Sequence, residues 1–446
     1  MSFIRLCSTR LTTGLNASRS VNPMLRVQPL VKTSRATMIG IDQMDPQMIK
    51  DKPKPWPYKT KRHFQYFHYL LDLDNTAARF DPNSKIVVIE GNKGSGKEVV
   101  AQALAKHFGL HYMPEPDLED MYINHNGFDY RSLNKYIDPQ VQAVDERMYL
   151  EDPHHRGVHW MKMFFYKKRY EQYIDALAHL YNTGQGVILE RSPYSDFVFT
   201  EAMNKSGYFS DNATDYYYRV RHATIYDLQR PHLVIYLDVT TDYYYRVRHA
   251  TIYDLQRPHL VIYLDVSPEE CLRRIKQRNI PYEVNSKVLT KEYLQVIGDE
   301  YKNRYLPEAS KHSQVLIYDW NELGDIEDMA DDIEKVNVDS WDPHFEKFED
   351  WNLWEEDLWE QKRHIYTNTK DDLVSNMCVV PAYDVDELWL DAEIAEHRDK
   401  IYENMIPHYG VLPSFDPQRT SLLTRLFRWK LKHREWQEFI MRRPFF

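Results

Sequence analysis

Short apolar runs alternate along this chain with longer stretches in which apolar residues recur every three or four positions. The runs Lys85–Glu90, Val187–Glu190, His259–Asp265 and Val315–Asp319 are dominated by Val, Ile and Leu, which predicts strands buried on both faces of a parallel sheet. Gly109–Pro116 (GLHYMPEP) predicts a fifth, shorter strand. Helical periodicity covers Glu98–Phe108, Trp160–Asn182 and Pro193–Met203, and Gly184-Gln185-Gly186 stops the long one. The prolines of Lys52–Pro57 (KPKPWP) force an extended segment, and Tyr58–Leu73 predicts an aromatic helix leading to the first strand. Asp117–Pro153 is polar and irregular. Strands and helices therefore alternate, and the predicted fold is α/β: a three-layer sandwich around a five-stranded parallel sheet.

One segment occurs twice. Thr214–Val239 (TDYYYRVRHATIYDLQRPHLVIYLDV) recurs letter for letter as Thr241–Val266, at an offset of 27 residues. Each copy reads as a helix broken at Arg-Pro and followed by one strand. A single sheet has one place for that strand, so the copies compete. The second copy runs directly into Ser267–Arg278, so its strand, His259–Asp265, is expected to hold the place; either helix can precede it. Perfect identity with no matching period elsewhere argues against a solenoid. Tandem inclusion of two alternative exons, or a gene-model error, explains so perfect a repeat better than a selected feature does.

Chemistry enters at the first strand. Gly91, Asn92, Lys93, Gly94, Ser95, Gly96 and Lys97 follow it at once and lead into a helix, the context of a phosphate-binding P-loop. Glycines let backbone N–H groups converge on phosphate oxygens, the helix N-terminus adds partial positive charge, and Lys97 adds a full one. The next position, where a P-loop carries the Ser or Thr that holds Mg²⁺, is Glu98.

Taken in order, GNKGSGK, then PEP after the second strand, then ERSPYSD after the third, resemble the deoxynucleoside kinase family over about Ser84–Trp320. Ser267–Arg278 is similar to that family's lid entry. Thr183–Met203 and RPHLVIYLDV are more narrowly similar to the branch formed by kinase-like accessory subunits of mitochondrial respiratory complex I. The resemblance implies a P-loop kinase-like fold and places Glu115 where the family keeps its general base. It likewise places Arg191 at a cation near the substrate hydroxyl, with Glu190 as its acidic partner, and Arg274 and Arg278 as lid cations toward the nucleotide. Three parts depart: Glu98 replaces the metal hydroxyl, VHWMKM (Val158–Met163) has no glutamine to read a base, and Ile280-Pro281 interrupts the basic lid. Each loss costs about 10²-fold or more in rate, so catalysis is not expected and Glu115, Glu190 and Arg191 are read as vestigial. The expected ligand is a purine nucleotide held structurally. FAD is associated with the family, but no G-x-G-x-x-G fingerprint supports it here. The expected role is that of a non-catalytic accessory subunit supporting assembly of the complex. Its partners would be other complex I subunits on the matrix side of the membrane arm, and its location the inner membrane as a peripheral protein. Alternatives are a working mitochondrial deoxynucleoside kinase and a nucleotide-sensing regulatory subunit.

Composition narrows the rest. Residues 1–38 are basic and hydroxylated, with no acid before Asp42, as in a mitochondrial transit peptide. An N-terminal arm over 39–83, a kinase-like domain over 84–338 and a mostly helical or irregular extension over 339–446 complete the expected division. The net charge of −10 leaves no footprint for general nucleic-acid binding, and no apolar run reaches membrane-spanning length. Three cysteines make neither a disulfide framework nor a metal cluster, and His154, His155 and His159 are expected to face solvent rather than bind metal. In the extension, Trp351, Trp354 and Leu358 form a stripe expected to pack on the domain. Ser421–Phe446, basic and aromatic, suits docking on an acidic protein or on lipid headgroups.

Overall fold

The computed structural model describes residues 38–45, 52–59, 74–123, 127–225, 255–338, 347–353, 355–382, 385–389 and 391–406. The expected helix over Tyr58–Leu73 falls almost wholly outside them, as do the expected transit peptide apart from Met38, and the tail Ser421–Phe446.

Five strands form one parallel sheet: β1 (Ile86–Gly91), β2 (His111–Met113), β3 (Val187–Glu190), β4 (Leu260–Asp265) and β5 (Gln314–Asp319), in the order β2-β3-β1-β4-β5. The central β1 is buried at every position, as a strand covered on both faces requires. Helix α1 (Lys97–Phe108) follows β1, and α2 (Val158–Thr183) is the long helix that Gly184 ends in a left-handed conformation with φ 70°. No side chain fits there, because a Cβ on Gly184 would lie 2.0 Å from the Arg79 carbonyl oxygen. Next come α3 (Phe197–Lys205) and α4 (Asp211–Ile225). After β4 in the chain come α5 (Pro268–Arg278), α6 (Lys291–Glu300) and, after β5, α7 (Ile326–Lys335). A π-helical turn, Tyr301–Tyr305, extends α6 and turns the Tyr301 hydroxyl onto the buried Glu90 at 3.0 Å.

The competition between the copies has a definite outcome. The strand place is held by the second copy, and the helix before it, α4, is built from the first. The Leu255 N–H donates to the Ile225 carbonyl at 3.5 Å. Leu255 is the second-copy equivalent of Leu228, so this is the i,i+3 turn that a single copy would make. Removing residues 226–252 therefore joins Ile225 to Tyr253 without displacing either element. Shortening a 29-residue connection to two lowers the closure entropy by about 2 kcal/mol. The single-copy protein is expected to be more stable by that amount in urea unfolding with little change in m-value; a loss of stability would show that the extra copy holds the fold together.

The extension shares the domain's core. Helix α8 (Glu356–Asn368) lies along α2, and the Trp351 indole donates to the Arg257 carbonyl at 2.8 Å. The expected stripe is only partly the contact: Trp354 is outside the described residues, and Leu358 is half-buried. Trp359 instead meets Phe80 edge-on at 5.0 Å, and the buried face of α8 carries charge. Arg363 donates to Asp74 at 2.9 Å and to Asn182 at 2.9 Å, while Arg79 pairs with the other Asp74 oxygen. Helix α9 (Ala392–Met405) closes the described chain, with Tyr402 against Tyr130.

Candidate nucleotide-binding site

A cleft of about 1210 Å³ opens at the C-terminal ends of β1, β2 and β3, where an open parallel sheet places its ligands. The P-loop forms its floor. Gly91, Gly94 and Gly96 have φ of 149°, 81° and 87°, and a Cβ on Gly94 would stand 3.0 Å from the Cys271 carbonyl oxygen and 3.1 Å from Ile275. The glycines thus let the loop turn back on α5. Lys97 begins α1, is buried, and donates to the Asn92 carbonyl at 3.1 Å across the loop. Burial, with Arg191 adding like charge, lowers its pKa to about 8. The Ser95 hydroxyl is buried without a partner. Glu98 lies exposed on the first turn of α1 and accepts from Gln102 at 3.2 Å.

Glu115, Glu190 and Arg191 do come together. Glu115 accepts from Arg169 at 2.6 Å and from Arg191 at shorter range. Burial alone would raise its pKa, but Arg191, Arg169 and Lys97 outweigh that and hold the carboxyl far below its ordinary range. Glu190 accepts from the Tyr112 hydroxyl, and burial moves its pKa up. Arg191 sits at φ 65°, a conformation a non-glycine residue adopts under strain, and its guanidinium covers the Phe199 ring at 4.4 Å.

Behind these residues runs a chain of buried charges that the sequence did not single out. Asp196, fully buried, accepts from Lys162 at 2.6 Å, from the Tyr217 hydroxyl at 2.8 Å and from Arg169. Burial lowers the Lys162 pKa to about 8 although Asp196 opposes it. A signal was present: Lys162 and Arg169 share a helical face with Tyr166, Tyr170 and Tyr173, and basic residues among buried aromatics require acids facing them.

The lid cations line the cleft yet point elsewhere. Arg274 donates to the Ser95 carbonyl at 3.1 Å and to Trp320 and Asn321 carbonyls at 2.6 and 3.0 Å, and its Nε goes to Glu270 at 2.7 Å. Arg278 pairs with Glu283, whose other oxygen lies 3.2 Å from Lys93; Glu146 also holds Lys93. Glu270 likewise takes Arg273 at 2.5 Å. Acids within the lid and beside it therefore neutralise most of its positive charge.

Of the three histidines, His154 is exposed and His155 part-exposed, as expected, and His159 departs. His159 is buried and stacked on Phe209 at 4.9 Å, because α2 turns this position toward the segment between α3 and α4 and not toward water. His154 meets Tyr208 edge-on, and His155 bonds Gln142 at 3.1 Å. Among the described residues no group of three or more His, Cys, Asp or Glu could hold a metal ion, and no helix is long and apolar enough to cross a membrane.

Comparison with known proteins fits this geometry. The family model for deoxynucleoside kinase matches residues 87–246 and 238–345, overlapping within the duplicated segment. The chain is 32% identical over 272 residues to NADH dehydrogenase (ubiquinone) 1 alpha subcomplex subunit 10, mitochondrial, of Bos taurus, covering 61% of this chain and 69% of that protein. The Mus musculus protein of the same name is 33% identical over 271 residues, covering 60% and 67%. Deoxyguanosine kinase of Dictyostelium discoideum is 26% identical over 263 residues, covering 59% and 73%.

Proposed function

The chain belongs to the deoxynucleoside kinase family, and from that membership we propose that it serves mitochondrial complex I as a non-catalytic accessory subunit. Its cleft would hold a purine nucleotide as a structural ligand. The observation carrying this reading is the neutralised lid: Glu283 and Glu270 occupy Arg278, Arg273 and Arg274, the groups a phosphoryl transfer would need around the moving phosphate. Glu115 supports it, since a carboxyl held so acidic between two guanidinium groups accepts a hydroxyl proton poorly. Glu98 offers no hydroxyl for Mg²⁺. What remains suits binding: the amides of Gly94–Lys97 and the Lys97 ammonium would cradle phosphate. Complex I neighbours and a mitochondrial location are supported by the relatives' names; a matrix-facing, peripheral position is part of the proposal.

A working kinase is the second reading, favoured by the convergence of Lys97, Glu115 and Arg191 in one cleft. Purified protein given ATP, Mg²⁺ and each of four deoxynucleosides is expected to show no turnover approaching ~1 s⁻¹, the lower part of the ordinary enzyme range. Turnover at that level would replace the accessory reading with the catalytic one. Native-gel fractionation of mitochondria carrying a tagged copy is expected to place the protein with the intact respiratory complex; migration only as a small free species would defeat that assignment.

A further inference from the structure

A second cavity, of about 400 Å³, lies away from the P-loop, between the domain and its extension. One wall is Val144 with Trp160, Met161 and Phe164, a single stripe at i, i+1 and i+4 near the start of α2, where the two aromatic rings stack at 6.2 Å. The facing wall comes from the extension, through Val380, Leu388 and Trp389. Trp389 stands at the mouth with 57% of its surface exposed. Arg156 ties that mouth to α2 by donating to the Asp386 carbonyl at 2.6 Å and the Trp389 carbonyl at 3.3 Å. A volume of this size, lined mostly by apolar side chains with Gln140 and Gln142 among them, is that of a small-ligand site.

One charge breaks the apolar lining. Arg398 on α9 reaches the cavity with only 6% of its side chain exposed. Its Nε and Nη2 both donate to a single oxygen of Asp399, at 3.0 and 2.8 Å, and Asp399 itself is half exposed. A guanidinium has five N–H donors, so donors remain on Nη1 for an acceptor within the cavity. Asp399 answers the charge from one side, and a planar carboxylate in the cavity would meet a free Nη1–H and the second Nη2–H with two parallel hydrogen bonds.

We propose that this cavity takes a single-chain fatty carboxylate, its chain along the α2 stripe and its head on Arg398. Because the two walls belong to different parts of the chain, the ligand would fasten the extension to the domain. The ligand class is independent of what occupies the P-loop cleft.

Calorimetric titration of the full-length protein with laurate, dodecanol and inorganic phosphate tests this. Laurate is expected to bind one to one, dodecanol about tenfold more weakly or worse for want of a charged acceptor, and phosphate not measurably. Arg398→Gln should bring laurate to the dodecanol level. Val380→Trp, which fills the cavity and leaves Arg398 in place, should abolish binding of both without shifting the melting temperature. Equal affinity for laurate and dodecanol in the wild type, or phosphate binding as strong as laurate's, would overturn the proposal. So would absence of laurate binding, or binding to phosphatidylglycerol vesicles alone, which would make this a charged surface and not a pocket.

Discussion

Asp196→Asn is expected to destabilise the protein by about 3–5 kcal/mol, because it strips two buried cations of the charge they share. Asp196 is wholly buried, and its two oxygens compensate Lys162 and Arg169, along with the Tyr217 hydroxyl. Asparagine keeps the shape and removes the charge, so the loss measured is electrostatic and not a cavity. Arg169 retains Glu115, but Lys162 is left with the Asp196 backbone carbonyl at 3.3 Å. An ammonium in that position responds by releasing its proton, which limits the cost and makes it pH-dependent. The penalty should therefore be largest at neutral and acidic pH, where holding the proton is costliest, and smaller above pH 8. Urea unfolding at pH 6 and pH 9 measures both. A loss below ~1 kcal/mol at both values would mean that water already reaches the cluster and that its burial is not what the geometry shows.

This cluster also marks the boundary of what the sequence discloses. The strands and the P-loop were legible because each is a local pattern: a β-branched run, a glycine spacing, a helix stop at Gly184. The order of the copies was partly legible, since the direct junction with Ser267 selects the second strand; which helix would precede it was not, because the two are chemically the same. Arg274 and Arg278 were legible as basic lid residues but not in their bonding. Their partners, Ser95 and Glu283, are set by how α5 folds over the loop. Likewise Trp351 could be read as apolar anchorage, whereas the pairing of Arg363 with Asp74, far apart along the chain, depends on where the extension returns. Local chemistry was readable; long-range charge pairing required the tertiary arrangement.

Lys97→Met carries the sharpest test of the cleft, because it should improve stability while removing the proposed ligand. The ammonium is buried against a single backbone carbonyl, and burial with the neighbouring Arg191 outweighs the pull of Glu115, Glu190 and Glu90. Its pKa falls from 10.5 to about 8, so the folded protein binds the proton less tightly than the unfolded chain. The sign follows from linkage: stability from this group is full above 10.5, is lost as pH falls through about 8, and below that the penalty is constant. At pH 7 the difference corresponds to about 3 kcal/mol, which methionine, of similar length and uncharged, would recover. The advantage of the variant should shrink steadily between pH 8 and pH 10.5, as the wild-type lysine loses its own charge. A nucleotide offsets most of that advantage. At a hundred times its Kd a phosphate ligand would stabilise the wild type by about 2.7 kcal/mol, and the variant, lacking the cation, by little. Thermal melts across pH, with and without dATP or dGTP, resolve both halves. A variant no more stable than wild type at pH 7 would show that Lys97 is hydrated; one that still gains from nucleotide would show that the P-loop lysine is not what holds it.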